Sequence, residues 1–252
     1  MKRRVYRTGA VAGLIAFSAL ALLILTDNPL RQAFFGAMAA WPDSVRFIVA
    51  ALGGYLIGAI PIGYLVVGAL TESDLREQGS GRTGTGNAFR AGGFVGGLLT
   101  VLGDIGKGLV AACFGALVLP NIWSPVLAAW GAVLGHNASI FLRMRGGAGT
   151  MANVGAAVAF WPPIALFIAP IFALGMFWIR IASVASLLMN SAVVLIFLVR
   201  GLLGQSPWQW LVYAIGSFLM TTYALRPNIE RLRKGTEPRT PPVRLRKSAQ
   251  HS

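Results

Sequence analysis

Long apolar runs recur along this chain, and each is close to the 20 or so residues that an α-helix needs to cross the hydrocarbon core of a membrane. Five runs are clear candidates for spanning helices: 8–26, 47–70, 94–119, 183–203 and 207–224. With 56% hydrophobic and only 12% charged residues, the 252-residue chain has the composition of a membrane protein rather than of a soluble domain. The sequence therefore predicts an all-α polytopic membrane protein.

Two further stretches are less regular. Residues 122–142 begin as an apolar helix but carry His136, Asn137 and Ser139, which indicates a polar mouth at the end of that helix. Residues 150–179 are too long for one ordinary span, and they contain consecutive prolines after Trp161. Because proline removes a helix donor and clashes with the preceding turn, we predict a short helix followed by a full one.

The basic residues are concentrated at the two ends of the chain. Twelve of the 22 lysines and arginines lie before the first apolar run or after the last one, although the net charge is +14. This distribution is typical of cytoplasmic flanks that attract anionic membrane lipids, and it favours them over nucleic-acid binding. Eight membrane segments place both termini and the loops at 71–93 and 143–149 in the cytoplasm, whereas seven segments would separate the basic ends.

Three regions follow from this pattern. Residues 1–43 are predicted to hold an anchor helix and a short interfacial segment, with a cleaved signal peptide as the alternative for the first run. Residues 44–236 are predicted to form the main transmembrane domain. Residues 237–252 are rich in proline and basic residues, which predicts a disordered cytoplasmic tail.

A glycine-rich polar loop follows the second apolar run. Glycines leave backbone amides uncovered, and arginine, hydroxyl and amide side chains add further donors, so the loop is a candidate phosphate cradle. A flexible connector is the alternative. The candidate ligands in this loop are Gly79, Ser80, Gly81, Arg82, Gly84, Thr85, Asn87 and Arg90.

A second loop has the same character, although arginines at a helix end are also ordinary topology signals. Its candidate binding residues are Arg145, Gly146, Gly147 and Gly149. His136, just before this loop, is a candidate general base because histidine titrates near neutral pH. The alternative is a histidine that orients the helix end.

Asp104 and Lys107 are three residues apart within an apolar run, so they share one face of a helix. Charges inside a membrane are costly, and they are usually paired and functional. Asp104 is interpreted as structural and Lys107 as a candidate ligand for substrate, with a simple buried salt bridge as the other possibility. No metal cluster or acyl-enzyme triad is predicted, no cofactor is expected, and the single cysteine, Cys113, excludes an internal disulfide.

Several separated motifs together resemble one known family, the bacterial acyl-phosphate-dependent glycerol-3-phosphate acyltransferases of the PlsY type. The similarity runs from about residue 53 to 236 in the same order as in the family. The motifs that carry it are GYLIGAIPIGYL at 54–65, DLREQGSG at 74–81, Asp104 with Lys107 and Gly108, GHNASIFLRMRGGAG at 135–149, IASVAS at 181–186 and NIERLRKGTE at 228–237.

The resemblance implies a seven-helix bundle in a bacterial inner membrane, to which this chain adds one N-terminal helix. It also implies transfer of a fatty acyl group from acyl phosphate to the sn-1 hydroxyl of glycerol 3-phosphate, giving lysophosphatidate and phosphate. By position, Ser80, Arg90, Asn87 and Asn228 would contact phosphate or the reacting hydroxyl, with Ser183 and Ser186 close by.

The chain departs from the family pattern at the loops. Ala148 stands where the family has lysine, Leu225 where it usually has histidine, and Arg82 where asparagine is usual, while Thr85 and Gly86 also differ. Three other functions therefore stay open: a paralogue with a changed phosphorylated acceptor, a catalytically silent lipid-binding protein, and a transporter. We hypothesise that Arg82 supplies the missing cation from the opposite loop.

Overall fold

The computed structural model describes residues 2–240, with side chains from Arg7 onward, and all of its regular elements are helices. The predicted all-α membrane fold is confirmed. The helices are α1 (Lys2–Leu25), α2 (Pro29–Ala37), α3 (Asp43–Ala59), α4 (Ile62–Thr71), α5 (Thr85–Val118), α6 (Trp123–Asn137), α7 (Thr150–Phe160), α8 (Ile164–Ala173), α9 (Ala182–Leu202), α10 (Trp208–Ala224) and α11 (Arg226–Arg233).

Within the described residues, five helical stretches are long and apolar enough to cross a membrane: Arg7–Leu25, Asp43–Thr71, Thr85–Val118, Trp123–Leu142 and Ala182–Leu202. Two shorter apolar helices, Thr150–Phe160 and Ile164–Ile179, lie on either side of the predicted break. Because α7 ends at Phe160 and α8 begins at Ile164, the break predicted from the consecutive prolines is present.

The predicted span 47–70 is not one continuous helix. It divides into α3 and α4 at Ile60 and Pro61, because the proline ring has no N–H to continue the helical hydrogen bonds. The break frees the carbonyl of Ile60, which accepts hydrogen bonds from Ile62 N at 3.0 Å and from Lys107 Nζ at 3.1 Å. A buried lysine thus adds a hydrogen bond to a carbonyl at the break, where no water from lipid could provide one.

The predicted loop at 71–93 is shorter than the sequence suggested. Residues 75–77 form a single 3-10 turn, and helix α5 already begins at Thr85. Gly93 has φ +66° and interrupts α5, so that a short polar segment precedes the long apolar one. The apolar pattern after Gly93 predicted the membrane-spanning part of α5. It did not predict the short helical segment between Thr85 and Gly93.

Close helix crossings make the bundle tight at its centre. A side chain on Gly54 would collide with the backbone of Ala128, and one on Gly135 would collide with the backbone of Tyr55, so α3 and α6 approach to backbone contact. Small residues allow this approach, and van der Waals contact then holds helices together in lipid. The crossing fixes the end of α6, which carries His136.

Glu237 and Thr240, at the start of the predicted tail, make defined contacts with the helical domain. Glu237 is held by three side chains, and the Thr240 amide donates to the Arg180 carbonyl at 2.7 Å. The remainder of the predicted tail, 241–252, lies outside the described residues.

Candidate active site

A small polar cavity of about 70 Å³ lies at one end of the bundle, where the first turns of α5, α7, α9 and α11 meet. Thr85 lines it from α5, Thr150 from α7, Ser183 from α9 and Asn228 from α11. The first N–H groups of a helix have no partner within the helix, and the helix dipole places partial positive charge there. Four such ends around one cavity make it a site for an anion.

Asn87 holds the first glycine-rich loop in shape. Its side-chain amide lies within hydrogen-bond distance of the carbonyls of Leu75, Gln78 and Arg82, at 2.9–3.1 Å, and its oxygen accepts from Ser80 N at 3.1 Å. All polar atoms of this buried side chain are therefore engaged by the loop itself. These hydrogen bonds favour a positioning role for Asn87, whereas the family resemblance predicts contact with phosphate.

Asp74 stabilises the turn at 75–77 that precedes this loop. Its carboxylate accepts from Arg76 N at 2.8 Å and from Arg76 Nη2 at 2.6 Å. The hydrogen bond from the Arg76 side chain is the main reason that the pKa of Asp74 lies below its usual value. The carboxylate is therefore ionised at neutral pH and keeps the turn closed.

Two arginines bring positive charge to the cavity. Arg90 Nη2 lies 3.5 Å from Ser80 Oγ, while its Nε is buried with no hydrogen-bond partner among the described residues. Arg82 donates through Nη2 to the Ala224 carbonyl, and its buried Nη1 also has no such partner. Unsatisfied guanidinium donors in a cavity are suited to phosphate oxygens, which they bind in bidentate fashion.

Burial lowers the pKa of Arg82, and the nearby Arg231 cation lowers it further, while Glu237 offsets part of this effect. An arginine so placed still remains a cation at neutral pH. An anion that enters the cavity pairs with this cation and offsets the free-energy penalty of its burial, which favours anion binding.

The second loop folds back onto the end of α6. Gly147 N donates to the His136 carbonyl at 3.0 Å, and a side chain at Gly147 would collide with His136 Nε2. This glycine lets the backbone pass directly beside the imidazole. A Cβ added to Gly84 of the first loop would lie 3.5 Å from Gly147 Cα and 4.0 Å from Ala148 N. The two loops are therefore in contact across the cavity.

A buried charge cluster lies behind His136. Lys107 Nζ is 3.0 Å from Asp104 Oδ1, and His136 Nδ1 is 3.5 Å from the same oxygen. Asp104 and His136 line the cavity, whereas Lys107 does not. Lys107 pairs with Asp104 and with the Ile60 carbonyl, and its role as a substrate ligand stays a prediction.

The sequence reasoning assigned no role to Glu237. Its carboxylate accepts from Ser183 Oγ at 2.9 Å, from Asn228 Nδ2 at 2.7 Å and from Arg231 Nε at 2.8 Å. It ties α9 and α11 together beside the cavity, and two predicted phosphate ligands are therefore bonded to it. The sequence motif at 228–237 ends on Glu237, and this position in the motif was the signal that could have identified the residue.

Most of the predicted site residues come together as expected. Those that line the small cavity are Ser80, Arg82, Gly84, Thr85, Asn87, Arg90, Asp104, His136, Gly147, Gly149, Ser183, Ser186 and Asn228. Gly81, Arg145 and Gly146 line a neighbouring groove instead, together with Arg82 and Gly147. Gly79 and Lys107 line neither. Within the described residues, no group of three or more His, Cys, Asp and Glu side chains is placed to hold a metal ion.

A cationic cavity enclosed by helix N-termini within an apolar bundle is the arrangement of an integral membrane protein that binds a small anion. Residues 48–235 match the family described as Glycerol-3-phosphate acyltransferase, and the chain belongs to that family. The match begins after α1 and α2, so this chain carries an additional N-terminal segment beyond the family domain.

Individual relatives agree with this assignment. A glycerol-3-phosphate acyltransferase from Synechococcus sp. (strain JA-3-3Ab) is 41% identical over 80% of this chain and 96% of its own length. One from Syntrophomonas wolfei is 34% identical over 73% of this chain and 91% of its own length. The crystal structure of PlsY, an integral membrane glycerol 3-phosphate acyltransferase in its glycerol 3-phosphate form, is 31% identical, with a TM-score of 0.68 over 77% of this chain and 94% of that chain.

Proposed function

We propose that this protein transfers a fatty acyl group from acyl phosphate to the sn-1 hydroxyl of glycerol 3-phosphate in the bacterial inner membrane. The observation that carries the proposal is the cavity in which four helix N-termini, Arg82 and Arg90 meet inside a membrane bundle of this family. Both substrates carry phosphate, and fixed cations and backbone donors stabilise such charge without reorganisation during the reaction.

The reaction forms an ester and releases inorganic phosphate. The sn-1 oxygen attacks the carbonyl carbon of the acyl phosphate, the bond from that carbon to the phosphate oxygen breaks, and phosphate leaves with the bonding electrons. The hydroxyl proton must go to a base within reach. His136 offers its imidazole beside Gly147, with Asp104 at 3.5 Å on the other ring nitrogen to orient it.

Reconstitution of the purified protein tests this proposal. We expect liposomes that contain the protein, acyl phosphate and glycerol 3-phosphate to accumulate lysophosphatidate and phosphate in equal amounts. Arg90→Ala is expected to lower kcat/KM by about 10- to 100-fold, because a charge-assisted hydrogen bond contributes roughly 1.5–3 kcal/mol.

Arg143→Ala is the matched control, because Arg143 is exposed and lines neither the cavity nor the groove. Its activity should equal that of the wild type. Turnover with dihydroxyacetone phosphate but not with glycerol 3-phosphate would indicate a changed acceptor. A folded protein without turnover on any phosphorylated acceptor would contradict the proposal and favour a lipid-binding role.

We propose further that both ends of the described chain and both glycine-rich loops face the cytoplasm. The positive-inside rule supports this, because the basic flanks and the loops come together at one end of the bundle. Arg7 at the start of α1 is 3.8 Å from Glu72 in the first loop, and Arg82 reaches the end of α10 at Ala224.

Single-cysteine labelling tests the orientation. In a Cys113→Ser background, Lys234→Cys should react with a membrane-impermeant thiol reagent in inside-out vesicles and stay unlabelled in intact spheroplasts. Gln205→Cys, between α9 and α10 at the other end of the bundle, should show the reverse. The proposed topology is wrong if both cysteines are labelled from the same side.

A further inference from the structure

The second glycine-rich loop leads into Thr150, which begins α7 and lines the small polar cavity. Within the described part of the chain, that loop and α7 contribute five lining residues: Gly147, Ala148, Gly149, Thr150 and Met151. Thr150 alone among these five has a side chain that can donate a hydrogen bond. Its hydroxyl is therefore the side-chain donor that this wall of the cavity offers to a ligand.

The buried amide of Asn190, on α9, lies directly behind this hydroxyl. Asn190 Nδ2 is 2.7 Å from the Ser186 carbonyl oxygen and 3.3 Å from Thr150 Oγ1. A carbonyl oxygen can only accept, so the amide atom that faces Ser186 must be the nitrogen rather than the oxygen. The two hydrogens of that nitrogen then go to the Ser186 carbonyl and to Thr150 Oγ1. The Thr150 hydroxyl is therefore an acceptor on the side that faces Asn190.

Asn153, on α7, fixes the orientation of the Asn190 amide. Asn153 Nδ2 donates to Asn190 Oδ1 at 2.5 Å, and both side chains are fully buried. The backbone of Asn153 is held as well, because its N–H donates to the Gly149 carbonyl at 2.8 Å and its carbonyl accepts from the Tyr213 hydroxyl at 3.0 Å. Buried polar groups are costly unless they are hydrogen-bonded, so this arrangement resists rotation of the amide. Asn190 cannot turn its oxygen toward Thr150.

The hydrogen of the Thr150 hydroxyl has no acceptor among the described residues, where its one hydrogen bond is the one from Asn190. Ser183, at the start of α9, differs in this respect, because its hydroxyl donates to Glu237 at 2.9 Å. The N-cap of α7 is Gly149, which provides no side-chain cap for the first N–H groups of that helix. A free hydroxyl hydrogen beside uncapped amides is suited to a ligand that only accepts, which is the property of an anion.

We propose that Thr150 is a further ligand of a substrate phosphate in the small cavity and that Asn190 is its positioning residue, an inference that rests on the proposed function. The Thr150 hydroxyl donates to a phosphate oxygen while the Asn190 amide holds one of its lone pairs. The donor is therefore oriented before the substrate arrives, and it needs no reorganisation when the phosphate binds. The phosphate is that of glycerol 3-phosphate or that of acyl phosphate, two ligands of the same chemistry that binding measurements separate.

Thr150→Val tests the ligand role, because it removes the hydroxyl and keeps the shape of the side chain. Ligand protection against thermal unfolding in detergent gives Kd without turnover, for glycerol 3-phosphate in one series and for non-hydrolysable hexadecyl phosphonate in another. We expect Thr150→Val to raise Kd for one or both ligands by about tenfold, as loss of a hydrogen bond to a charged group does. Thr150→Ser keeps the hydroxyl and should bind like the wild type.

Thr100→Val is the matched control for this substitution. Thr100 is also buried in a helix, its hydroxyl donates to the Gly96 carbonyl at 2.7 Å, and it lines neither the cavity nor the groove. Its Kd values should equal those of the wild type. Weaker binding of one ligand alone in Thr150→Val supports the inference and assigns Thr150 to that ligand's phosphate. If Thr150→Val binds both ligands as tightly as Thr100→Val does, the inference is overturned, while the proposed function still stands or fails with the reconstitution test.

Asn190→Leu tests the positioning role in two backgrounds. In the wild type it should raise the same Kd severalfold, whereas in Thr150→Val it should leave Kd unchanged, because the hydroxyl that it orients is already gone. Asn153→Leu combined with Asn190→Leu removes both buried amides and replaces the single variant if that one does not fold. A purely structural role would weaken binding equally in both backgrounds, and such additive effects would overturn the role of Asn190.

Discussion

Asp104→Asn is expected to destabilise the protein by about 3–5 kcal/mol, because it leaves Lys107 as an unpaired cation inside the bundle. Asp104 and Lys107 are both 1% exposed, and their charged atoms are 3.0 Å apart. Asparagine keeps the shape of the side chain but removes its charge. Thermal unfolding in detergent should show a midpoint lower by at least about 6 °C.

Two further variants serve as controls for the predicted loss of stability in Asp104→Asn. Asp43→Asn removes another aspartate that pairs with a cation three residues away, but its side chain is 71% exposed, so we expect a change within about 0.5 kcal/mol. Asp104→Leu with Lys107→Met removes both charges and should recover most of the stability. If Asp104→Asn unfolds at the wild-type temperature, the buried pair does not stabilise the bundle.

The double variant also separates structure from catalysis. Asp104 lies 3.5 Å from His136 and lines the cavity, so a folded double variant should lose the orientation of the imidazole. We expect normal unfolding together with a reduced kcat. A folded double variant with wild-type kcat would show that Asp104 supports the bundle alone.

The fold could be predicted from sequence because membrane helices depend on local composition. The apolar runs and the paired prolines after Trp161 marked the helices and the break between α7 and α8. The break at Pro61 was missed, because a proline within a long apolar run often continues as a kinked helix. Its consequence, a carbonyl that accepts from Lys107, depends on a contact between residues 47 positions apart.

The sequence predicted those site residues that lie in the two glycine-rich loops. Glycines and arginines of both loops line the cavity, but their individual roles depend on tertiary contacts. Asn87 resembles a ligand in sequence, yet its amide is engaged by the loop backbone. Glu237 was missed because a carboxylate in a basic, proline-rich segment has no local signal, and its three partners come from α9 and α11.

Arg82→Ala is expected to lower kcat/KM for glycerol 3-phosphate by about 10- to 100-fold, because it removes a cation that contributes roughly 1.5–3 kcal/mol to phosphate binding. Arg82 Nη1 is buried without a hydrogen-bond partner among the described residues, and the side chain lines the same cavity as Ala148. Steady-state kinetics in liposomes, with thermal unfolding as a check on folding, measure the effect.

A second substitution distinguishes loss of charge from loss of structure, because Arg82 also holds the Ala224 carbonyl. Ala148→Lys restores a cation to the cavity from the opposite loop but cannot restore that hydrogen bond. In the Arg82→Ala background we expect Ala148→Lys to recover about tenfold in kcat/KM, the value of one charge-assisted contact. In the wild type the same lysine should give little gain, because Arg82 already supplies that cation.

The four proteins form a double-mutant cycle whose coupling reports directly on the exchange of charge between the loops. Strong coupling means that a cation is required in the cavity and that either loop can supply it, so that the chain retains catalysis despite Ala148. Additive effects would mean that Arg82 acts through Ala224 and the fold of the first loop. An unchanged affinity for glycerol 3-phosphate in Arg82→Ala would show that the charge was not relocated, and Arg90 with the four helix N-termini would then hold the phosphate without it.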